Sequence, residues 1–505
     1  MGKYVIGSDL GTTNLKSVLT DESGNVVSQA VSGYPLSTPK EGYAEQDPEQ
    51  WWKAFKETVQ VMLQEAKIRA EDIKAVCISS QSSTVLPLDR QGRPLRSAII
   101  WMDNRGKEYC PSIQEKIRAV NKNNFNNVEE FFTVSKLVWL KKHQPEIYRN
   151  ASVFIQANSY IIFRLTGVYS IDRAEAGLQH LIDIDNEEYS ADICRALDLD
   201  PNKFPPIKDC SKVVGEVTSS ASRETLLAAG TPVTAGTVDT SAAALAAGTI
   251  TDGQVFYSAG TSGNLCYCSG SLCFDKSYFV FPHAKESLWL FDMLMGTVGI
   301  SVEWLCRIIG SMDKKHHETC LEELNRRIEK NTQLIGNPIF LPFLSGQLSP
   351  EWKTNARGVF FGLNINTTEA QLARAIMEGC AFEARDNITT LNKLGFAVEE
   401  IRLVGGVTKS EVWNQIWADV LNLPVLIPHT SGSAYGNALL AGEMVGVYPK
   451  LENSIDDFIA VEKRYIPEQK RVDFYREAYT IYRTIVDKIR PVYNEYEVLQ
   501  RNGDE

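Results

Sequence analysis

The stretch Tyr4-Val5-Ile6-Gly7-Ser8-Asp9-Leu10-Gly11-Thr12-Thr13 begins as a short apolar run and ends in a turn rich in glycine and threonine. The apolar run predicts a buried β-strand. The turn, Gly11-Thr12-Thr13, would place backbone N–H groups and hydroxyls side by side after that strand. Together with Asp9 before the turn and Lys16 after it, these donors predict a place where phosphate is held.

A second turn of the same kind follows the apolar residues Val255-Phe256-Tyr257. It contains Gly260, Thr261 and Ser262. Each turn taken alone is more typical of a plain hairpin than of a binding site. Two such turns in one chain, with a carboxylate between them, favour a pair of phosphate-binding loops.

An isolated carboxylate, Asp239, lies between the two turns in Gly236-Thr237-Val238-Asp239-Thr240. Phosphoryl transfer needs donors around the phosphate oxygens, a divalent cation, and a base for the attacking hydroxyl. A lone aspartate after a strand is more often a helix cap, but its occurrence together with both turns reverses that preference. We expect Asp239 to contact the substrate hydroxyl as the base, and Asp9 with Asp239 to hold Mg²⁺ over the phosphates.

The composition of the 505 residues, 44% hydrophobic and 23% charged, is that of an ordinary globular protein. The 63 acidic residues against 52 Lys and Arg give a net charge of −11, which argues against nucleic acid or an anionic membrane as the main partner. No apolar run approaches membrane-spanning length, and the N-terminus lacks a long apolar signal segment. We therefore expect a cytoplasmic protein that acts on a small molecule, with a homodimer as one possible assembly.

The two halves of the chain follow a similar order of predicted elements. In the first half, an antiparallel meander precedes a helix that begins at Asp47-Pro48 and a strand at 75–79. In the second half, two strands around the turn precede a helix at 369–393, a strand at 401–404 and a helix at 410–421. A final helix over 472–494 would pack back on the body. This order predicts an α/β protein of two related domains, 1–248 and 249–505, that face one another across a cleft.

From about residue 4 to residue 448 the chain resembles the FGGY family of carbohydrate kinases, within the actin-like ATPase superfamily. Residues 9–13 and 260–262 match the two phosphate motifs of the family, and residues 403–406 followed by Ser410 match its adenosine motif. Residues 356–378 match its C-terminal signature. The resemblance implies two actin-like, ribonuclease H-like domains and an ATP- and Mg²⁺-dependent phosphorylation of a sugar or polyol.

The resemblance also implies which residues bind each substrate. We expect ATP contacts from Gly11, Thr12, Thr13, Lys16, Gly260, Thr261, Ser262, Gly405, Gly406, Ser410 and Asn437. We expect sugar contacts from Gln81, Ser82, Ser83, Trp101, Asp103, Arg105 and Asp239. Close helix packing explains the small residues around Asn437 equally well, core packing is the alternative for Trp101, and a surface ion pair is the alternative for Asp103 with Arg105.

The identity of the sugar depends on departures from familiar subfamilies. Xylulose kinases typically carry Met-His after the glutamine and glycerol kinases carry Arg-Glu there, whereas Ser82-Ser83 follow Gln81 in this chain. Trp101 with Asp103 and Arg105 favours the likeness to xylulose kinases, so a pentulose is our first expectation. A small polyol such as glycerol or erythritol, or another ketose, is the alternative. An actin-like ATPase or a sugar sensor that transfers no phosphate is the alternative of another class.

Overall fold

The computed structural model describes residues 2–121, 126–184, 186–309, 322–328, 334–429 and 432–503. The strands in chain order are β1 (Tyr4–Leu10), β2 (Asn14–Thr20), β3 (Val26–Gly33), β4 (Glu45–Gln46), β5 (Ile73–Ser80), β6 (Leu86–Leu88), β7 (Ala98–Ile99), β8 (Val153–Ile155), β9 (Ile171–Asp172), β10 (Ile182–Asp183), β11 (Glu188–Tyr189), β12 (Ile207–Lys208), β13 (Val213–Glu216), β14 (Pro232–Thr234), β15 (Thr237–Val238), β16 (Val255–Ala259), β17 (Gly263–Ser269), β18 (Phe279–Pro282), β19 (Trp289–Met295), β20 (Ile339–Leu341), β21 (Val359–Phe361), β22 (Ile401–Val404), β23 (Val425–Pro428) and β24 (Val461–Tyr465).

The α-helices in chain order are α1 (Pro48–Ala66), α2 (Cys110–Val120), α3 (Thr133–His143), α4 (Pro145–Asn150), α5 (Ala157–Thr166), α6 (Arg173–Leu178), α7 (Ala191–Ala196), α8 (Ser219–Thr225), α9 (Asp239–Ala246), α10 (Gly299–Ile309), α11 (described over 322–328), α12 (Glu369–Lys393), α13 (Glu411–Leu421), α14 (Ser433–Met444), α15 (Ile455–Phe458) and α16 (Gln469–Gly503). Short 3₁₀ helices lie at Ala70–Asp72, Lys107–Tyr109, Pro201–Lys203, Gly406–Lys409 and Leu451–Asn453.

Two seven-stranded mixed sheets form the framework. The first sheet has the order β13-β14-β5-β1-β2-β3, with β15 also paired to β5, and the second has the order β18-β19-β17-β16-β22-β23-β24. β1 pairs antiparallel with β2 across the first turn and parallel with β5. β16 likewise pairs antiparallel with β17 across the second turn and parallel with β22. The structure therefore confirms the predicted α/β fold with two similar halves.

Local capping chemistry explains why the predicted helices begin where they do. The Asp47 side chain accepts a hydrogen bond from the backbone N–H of Glu49 and so caps α1, with Pro48 as its first residue. Thr368 and Gln371 form a capping box at the start of α12. Both caps satisfy N–H groups that have no partner within the helix. The bounds of α12 are those that the apolar periodicity predicts.

Helix α14 comes from the second half of the sequence but packs on the first half. A Cβ on Gly7 of β1 would lie 2.0 Å from the carbonyl oxygen of Ala434, and one on Gly436 would lie 1.9 Å from that of Ala242 in α9. Both positions therefore require glycine, because the backbones approach too closely for any side chain. The two halves therefore pack against each other at α14. The domain boundary between residues 248 and 249 stays a prediction.

The C-terminal helix packs back on the second half, as its apolar spacing predicts, and extends from Gln469 to Gly503. Tyr475 of this helix is buried, and its hydroxyl donates a hydrogen bond to Glu378 of α12 over 2.8 Å. Within the described ranges, no helix combines the length and the apolar character needed to cross a membrane.

Candidate active site

The first turn lies between β1 and β2 and is held by its own backbone. The N–H of Gly11 donates to the carbonyl of Asn14 over 3.0 Å, and the hydroxyl of Tyr34 donates to the carbonyl of Gly11. Asp9 faces Lys16 across the β1–β2 pair and accepts a hydrogen bond of 2.7 Å from the hydroxyl of Ser79. Burial raises the pKa of Asp9, while Ser79 and Lys16 lower it in part.

Asp239 is the first residue of α9, directly after β15. Its carboxylate accepts a hydrogen bond of 2.7 Å from the N–H of Thr240, and the hydroxyl of Thr240 lies 3.3 Å away. Burial, and next the negative charge of Asp9, raise the pKa of Asp239 to about 7. A carboxylate with a pKa near neutrality is well matched to general base catalysis.

A cavity of about 490 Å³ lies between the two halves of the molecule and contains Asp239 in its wall. Its size is that of a small-molecule site. The predicted site residues that line it are Thr12, Gln81, Ser82, Trp101, Asp239 and Ser262. The other lining residues are Phe131, Phe132, Leu178, Val238, Thr240, Gly263, Asn264, Phe279, Phe281, Asp292, Leu294, Met295, Gly296, Ser345 and Leu348. The structure thus brings parts of both predicted phosphate turns and of the predicted sugar site to one place.

A relay of hydrogen bonds orients Gln81 at the wall of this cavity. The indole N–H of Trp51 donates to Oε1 of Gln46 over 3.1 Å, and Nε2 of Gln46 donates to the carbonyl of Thr12 over 2.6 Å. Oε1 of Gln46 also accepts from Nε2 of Gln81 over 2.7 Å. The nitrogen of the Gln81 amide therefore faces Gln46. The amide oxygen, Oε1, has no hydrogen-bond partner among the described residues. Oε1 of Gln81 is therefore a buried acceptor that no described residue uses, and its contact with a sugar stays a prediction.

Trp101 is 42% exposed and is not the core residue that the alternative expects. Its indole N–H donates to the hydroxyl of Thr12 over 3.0 Å. This bond places the ring beside the first turn, and both residues line the cavity. An indole face can pack against the C–H groups of a sugar.

Three residues predicted to bind sugar lie outside the lining of the cavity. Asp103 is fully buried and accepts from the N–H of Ala44 over 2.6 Å and from the guanidinium of Arg105 over 2.6 Å. Arg105 also stacks on the ring of Tyr43 at 3.8 Å. The N–H of Ser83 donates to Glu175 over 2.6 Å. The alternative of a surface ion pair is wrong, since Asp103 and Arg105 form a buried one, and the sugar contacts of all three residues stay predictions.

The second turn and the predicted adenosine motif touch each other. The N–H of Gly260 donates to the carbonyl of Ser262 over 2.9 Å, and the N–H of Gly299 donates to the carbonyl of Gly260 over 2.8 Å. Gly405 has φ +103°, and a Cβ there would lie 2.3 Å from the carbonyl oxygen of Ala259. Only glycine fits this position. The exposed Gly406 then begins a 3₁₀ helix, which leaves N–H groups available to a ligand.

Two predicted ATP contacts have structural partners of their own. The Ser410 hydroxyl accepts from the N–H of Trp413 and so caps α13, and it lies 3.0 Å from Oδ1 of Asn325. The amide of Asn437 donates to the carbonyl of Ser8 and to the hydroxyl of Ser79, each over 2.7 Å. Asn437 therefore joins α14 to the first sheet, and its contact with ATP, like that of Ser410, stays a prediction.

Two polar residues that no motif in the sequence indicates, Asn264 and Asp292, line the cavity from the second half. They lie on the neighbouring strands β17 and β19, and the Asn264 amide donates to the Asp292 carboxylate over 3.2 Å. Burial raises the pKa of Asp292 to about 6. One signal was available, since Asp292 is the only charged residue in the apolar strand Trp289–Met295.

No group of three or more His, Cys, Asp or Glu side chains within the described chain is arranged to hold a metal ion. Asp9 and Asp239 form instead a pair of carboxylates beside the first turn, and each has a raised pKa. Two desolvated carboxylates that repel one another suit a cation that also binds phosphate oxygens, as Mg²⁺ does with few protein ligands. The residues present therefore fit Mg²⁺.

Comparison with known proteins agrees with this geometry. Residues 4–246 match the model of the N-terminal domain of the FGGY family of carbohydrate kinases, and residues 255–444 match that of its C-terminal domain. A xylulose kinase of Staphylococcus epidermidis is 29% identical over 96% of both chains. The structures of a xylulose kinase and a gluconate kinase, both from Lactobacillus acidophilus, superpose with TM-scores of 0.89 and 0.88, each at 26% identity over 98% of this chain and 100% of the other. This chain belongs to the FGGY family of carbohydrate kinases.

Proposed function

We propose that this protein transfers the γ-phosphate of ATP to a hydroxyl of a small sugar, and that the preferred acceptor is a pentulose such as xylulose. The observation that carries the proposal is the position of Asp239, whose carboxylate lines the same cavity as Ser262 of the second phosphate turn. A base and a phosphate-binding loop that face one cavity can act on two substrates bound side by side. The xylulose kinases among its relatives support the choice of a pentulose.

Asp239 takes the proton of the attacking hydroxyl in this proposal. The hydroxyl oxygen forms a bond to the γ-phosphorus of ATP, the bond from that phosphorus to the bridging oxygen breaks, and ADP leaves. The pKa of about 7 allows Asp239 to be ionised at neutral pH and still accept the proton. Thr240 holds the carboxylate in place by two hydrogen bonds.

The two turns would hold the phosphates through backbone N–H groups and hydroxyls, with Lys16 as a positive charge beside Asp9. Asp9 and Asp239 are the residues that would hold Mg²⁺. When bound with ATP, Mg²⁺ neutralises charge on the phosphate oxygens. Approach of the two halves would exclude water from the cavity and so favour transfer to the sugar over hydrolysis.

A substrate screen tests this proposal. The purified chain would be incubated with ATP, MgCl₂ and single members of a panel of pentuloses, hexuloses, polyols and aldonates, and ADP release would be coupled to NADH oxidation. We expect the highest kcat/KM with a pentulose and little ADP release without sugar. A preference for glycerol, erythritol or a hexulose would establish the alternative acceptor.

A separate outcome would refute the kinase proposal itself. An actin-like ATPase would release ADP at the same rate with and without every sugar, and a sensor would bind a sugar without any release. Mass spectrometry of the products distinguishes these cases, because only transfer yields a sugar phosphate in equal amount to ADP.

Two further parts of the proposal concern the protein as a whole. We infer that it acts in the cytoplasm, where ATP and sugar substrates are both available, and that it can form a homodimer. Fractionation of the cells that express it would test the location. Light scattering with size-exclusion chromatography would measure the assembly, and a mass of one chain at working concentration would exclude the dimer.

A further inference from the structure

We propose that Asp292, supported by Asn264, binds a hydroxyl of the sugar from the second half of the molecule and selects neutral sugars over sugar acids. The inference rests on the proposed function and assigns a specificity residue to the same cavity. It would make the sugar a bridge between the two halves, with Asp239 and Gln81 on one side and Asp292 on the other.

Asp292 lies at the centre of β19, on the face of the second sheet that lines the cavity. It pairs with Cys266 of β17 on one side and with Phe279 of β18 on the other. Phe281 and Leu294 line the same wall. An ionisable side chain in such surroundings costs free energy unless its oxygens are satisfied, so packing alone does not account for an aspartate here.

The partners of Asp292 leave its carboxylate with unused capacity. Nδ2 of Asn264 lies 3.2 Å from Oδ1 and 3.3 Å from Oδ2, and the thiol of Cys266 lies 3.3 Å from Oδ1. A carboxylate can accept about four hydrogen bonds. One shared amide and one weak thiol donor therefore leave room for a ligand hydroxyl, most of all at Oδ2.

The opposite wall of the cavity contains Asp239 and Gln81. Oε1 of Gln81 is buried and has no partner among the described residues, and the relay through Gln46 fixes its amide orientation. The carboxylates of Asp239 and Asp292, one on each wall, match a ligand that carries several O–H donors. A small sugar has this property, and the purely apolar ligand that the phenylalanines alone would suit does not.

The charge of the cavity discriminates among sugars. Its charged lining residues are Asp239 and Asp292, and its described lining contains no lysine or arginine. A ligand carboxylate would lack a cationic partner and would meet two aspartates. Since a gluconate kinase shares the fold, the fold alone does not decide between neutral sugars and sugar acids, whereas the charge of Asp292 does.

Kinetics with deoxy sugars test the predicted hydroxyl contact. KM and kcat would be measured for the best neutral substrate of the panel and for its monodeoxy analogues, with the unaltered protein, Asp292→Asn and Asp292→Ala. Asp252→Asn, an exposed carboxylate before β16, is the matched control. We expect Asp292→Ala to raise KM at least tenfold, with kcat within about threefold of normal. Asp292→Asn should raise KM by a smaller factor. One deoxy analogue should show the same KM with Asp292→Ala as with the unaltered protein.

A second measurement tests whether the negative charge of Asp292 disfavours sugar acids. The ratio of kcat/KM for an aldonate to that for the neutral sugar should increase at least tenfold in Asp292→Asn and stay unchanged in Asp252→Asn. Losses that are equal for all deoxy analogues, together with an unchanged aldonate ratio, would overturn the proposal.

Failure of the proposed function would look different from failure of this inference. If no sugar supports ADP release, sugar binding would be measured by calorimetry with the same proteins, and the same pattern is expected in Kd. Circular dichroism would verify that each variant is folded. If Asp292→Ala is unfolded, Asn264→Ala gives the second variant, with a KM raised at least threefold for the same hydroxyl as the expected result and an unchanged KM as the contrary one.

Discussion

The two sheets have the same strand pairing around a turn, but the side chains at the two turns differ. The first turn has Asp9 and Lys16 on its flanking strands, paired across β1 and β2, whereas residues 255–269 around the second turn include no charged side chain. Asp239 adds a second carboxylate to the first half. The two halves thus share the strand pairing around a turn, whereas the charged side chains at the turns, and the carboxylate that we propose as the base, lie in the first half.

The second half contributes polar contacts of another kind. Asn437 donates to Ser79, and Ser79 donates to Asp9, so a side chain of the second half orients a carboxylate of the first. Asp292 lies in the cavity from the second half. The halves are therefore alike in strand pairing and different in the side chains that they bring to the cavity.

Loss of the base should have the largest effect. We expect Asp239→Asn to lower kcat by about a thousandfold or more, because the amide keeps the hydrogen-bonding shape but cannot take the proton, and general base catalysis contributes about 10² to 10⁴. Steady-state ADP release measures kcat, and calorimetry measures sugar binding, which should stay within about threefold. Asp192→Asn on α7 is the exposed control. A kcat within tenfold of normal for Asp239→Asn would show that Asp239 is not the general base.

Breaking the link between the halves should reduce stability next. Asn437→Ala leaves the carbonyl of Ser8 and the hydroxyl of Ser79 without their amide donor, and we expect a loss of about 3 kcal/mol in the free energy of unfolding. Urea denaturation followed by tryptophan fluorescence measures it, with the exposed Asn453→Ala as control. The KM for ATP separates the two roles, since an increase of tenfold or more would support the predicted nucleotide contact and an unchanged value would leave the junction as the role of Asn437.

Among the described residues, each half buries one histidine, His180 in the first and His283 in the second, and both should make the fold sensitive to acid. Burial lowers the pKa of His180 and of His283 to about 3, below the ordinary value near 6.5. The unfolded chain therefore binds more protons than the folded one between these values, and stability falls as pH falls below about 6.5. Each histidine should cost about 2 kcal/mol at pH 5 relative to pH 7.

Substitution isolates this effect from that of the buried carboxylates, whose raised pKa values act in the opposite direction. His180 has φ +60°, a conformation that asparagine tolerates. Urea denaturation of His180→Asn and His283→Asn at pH 7 and pH 5 should show about 2 kcal/mol less acid sensitivity than the unaltered chain. His143→Asn, at an exposed position of α3, should lose as much stability between pH 7 and pH 5 as the unaltered chain. An equal loss in all three variants would contradict the role of the two buried histidines.

Much of the fold and part of the site follow from local sequence patterns. The strand before the first turn, the cap at Asp47 and the long helix from Glu369 depend on neighbours within a few residues, so periodicity and capping rules predict them. Thr12 comes from the first turn and Asp239 from the stretch between the two turns, Gln81 and Trp101 come from the resemblance to the FGGY family, and the structure places all four in the wall of one cavity. Their roles in binding and catalysis stay predictions.

The remaining features depend on contacts between distant segments. The burial of Asp103 with Arg105 requires the packing of Tyr43 and Trp139 around the guanidinium, which no local pattern reveals. Asn437 looks like a residue that leaves room for a ligand until the crossing of α14 over β1 is known. Asp292 looks like an irregularity in an apolar strand, and only the facing of the two sheets shows that it lines the cavity.

The pH dependence of turnover should give the smallest effect and the sharpest comparison. Burial, then the charge of Asp9, and to a smaller extent the charge of Asp292 in the other half raise the pKa of Asp239 to about 7. The base must be ionised to act, so kcat/KM should fall as pH decreases below about 7, by about tenfold per pH unit. Asp292→Asn removes one of the repelling charges and should move this acid limb to lower pH, because the ionised form of Asp239 is then less disfavoured. Profiles of kcat/KM from pH 5.5 to 9 for the unaltered protein, Asp292→Asn and Asp252→Asn measure the shift. An acid limb at the same pH in all three would mean that the second half does not influence the base.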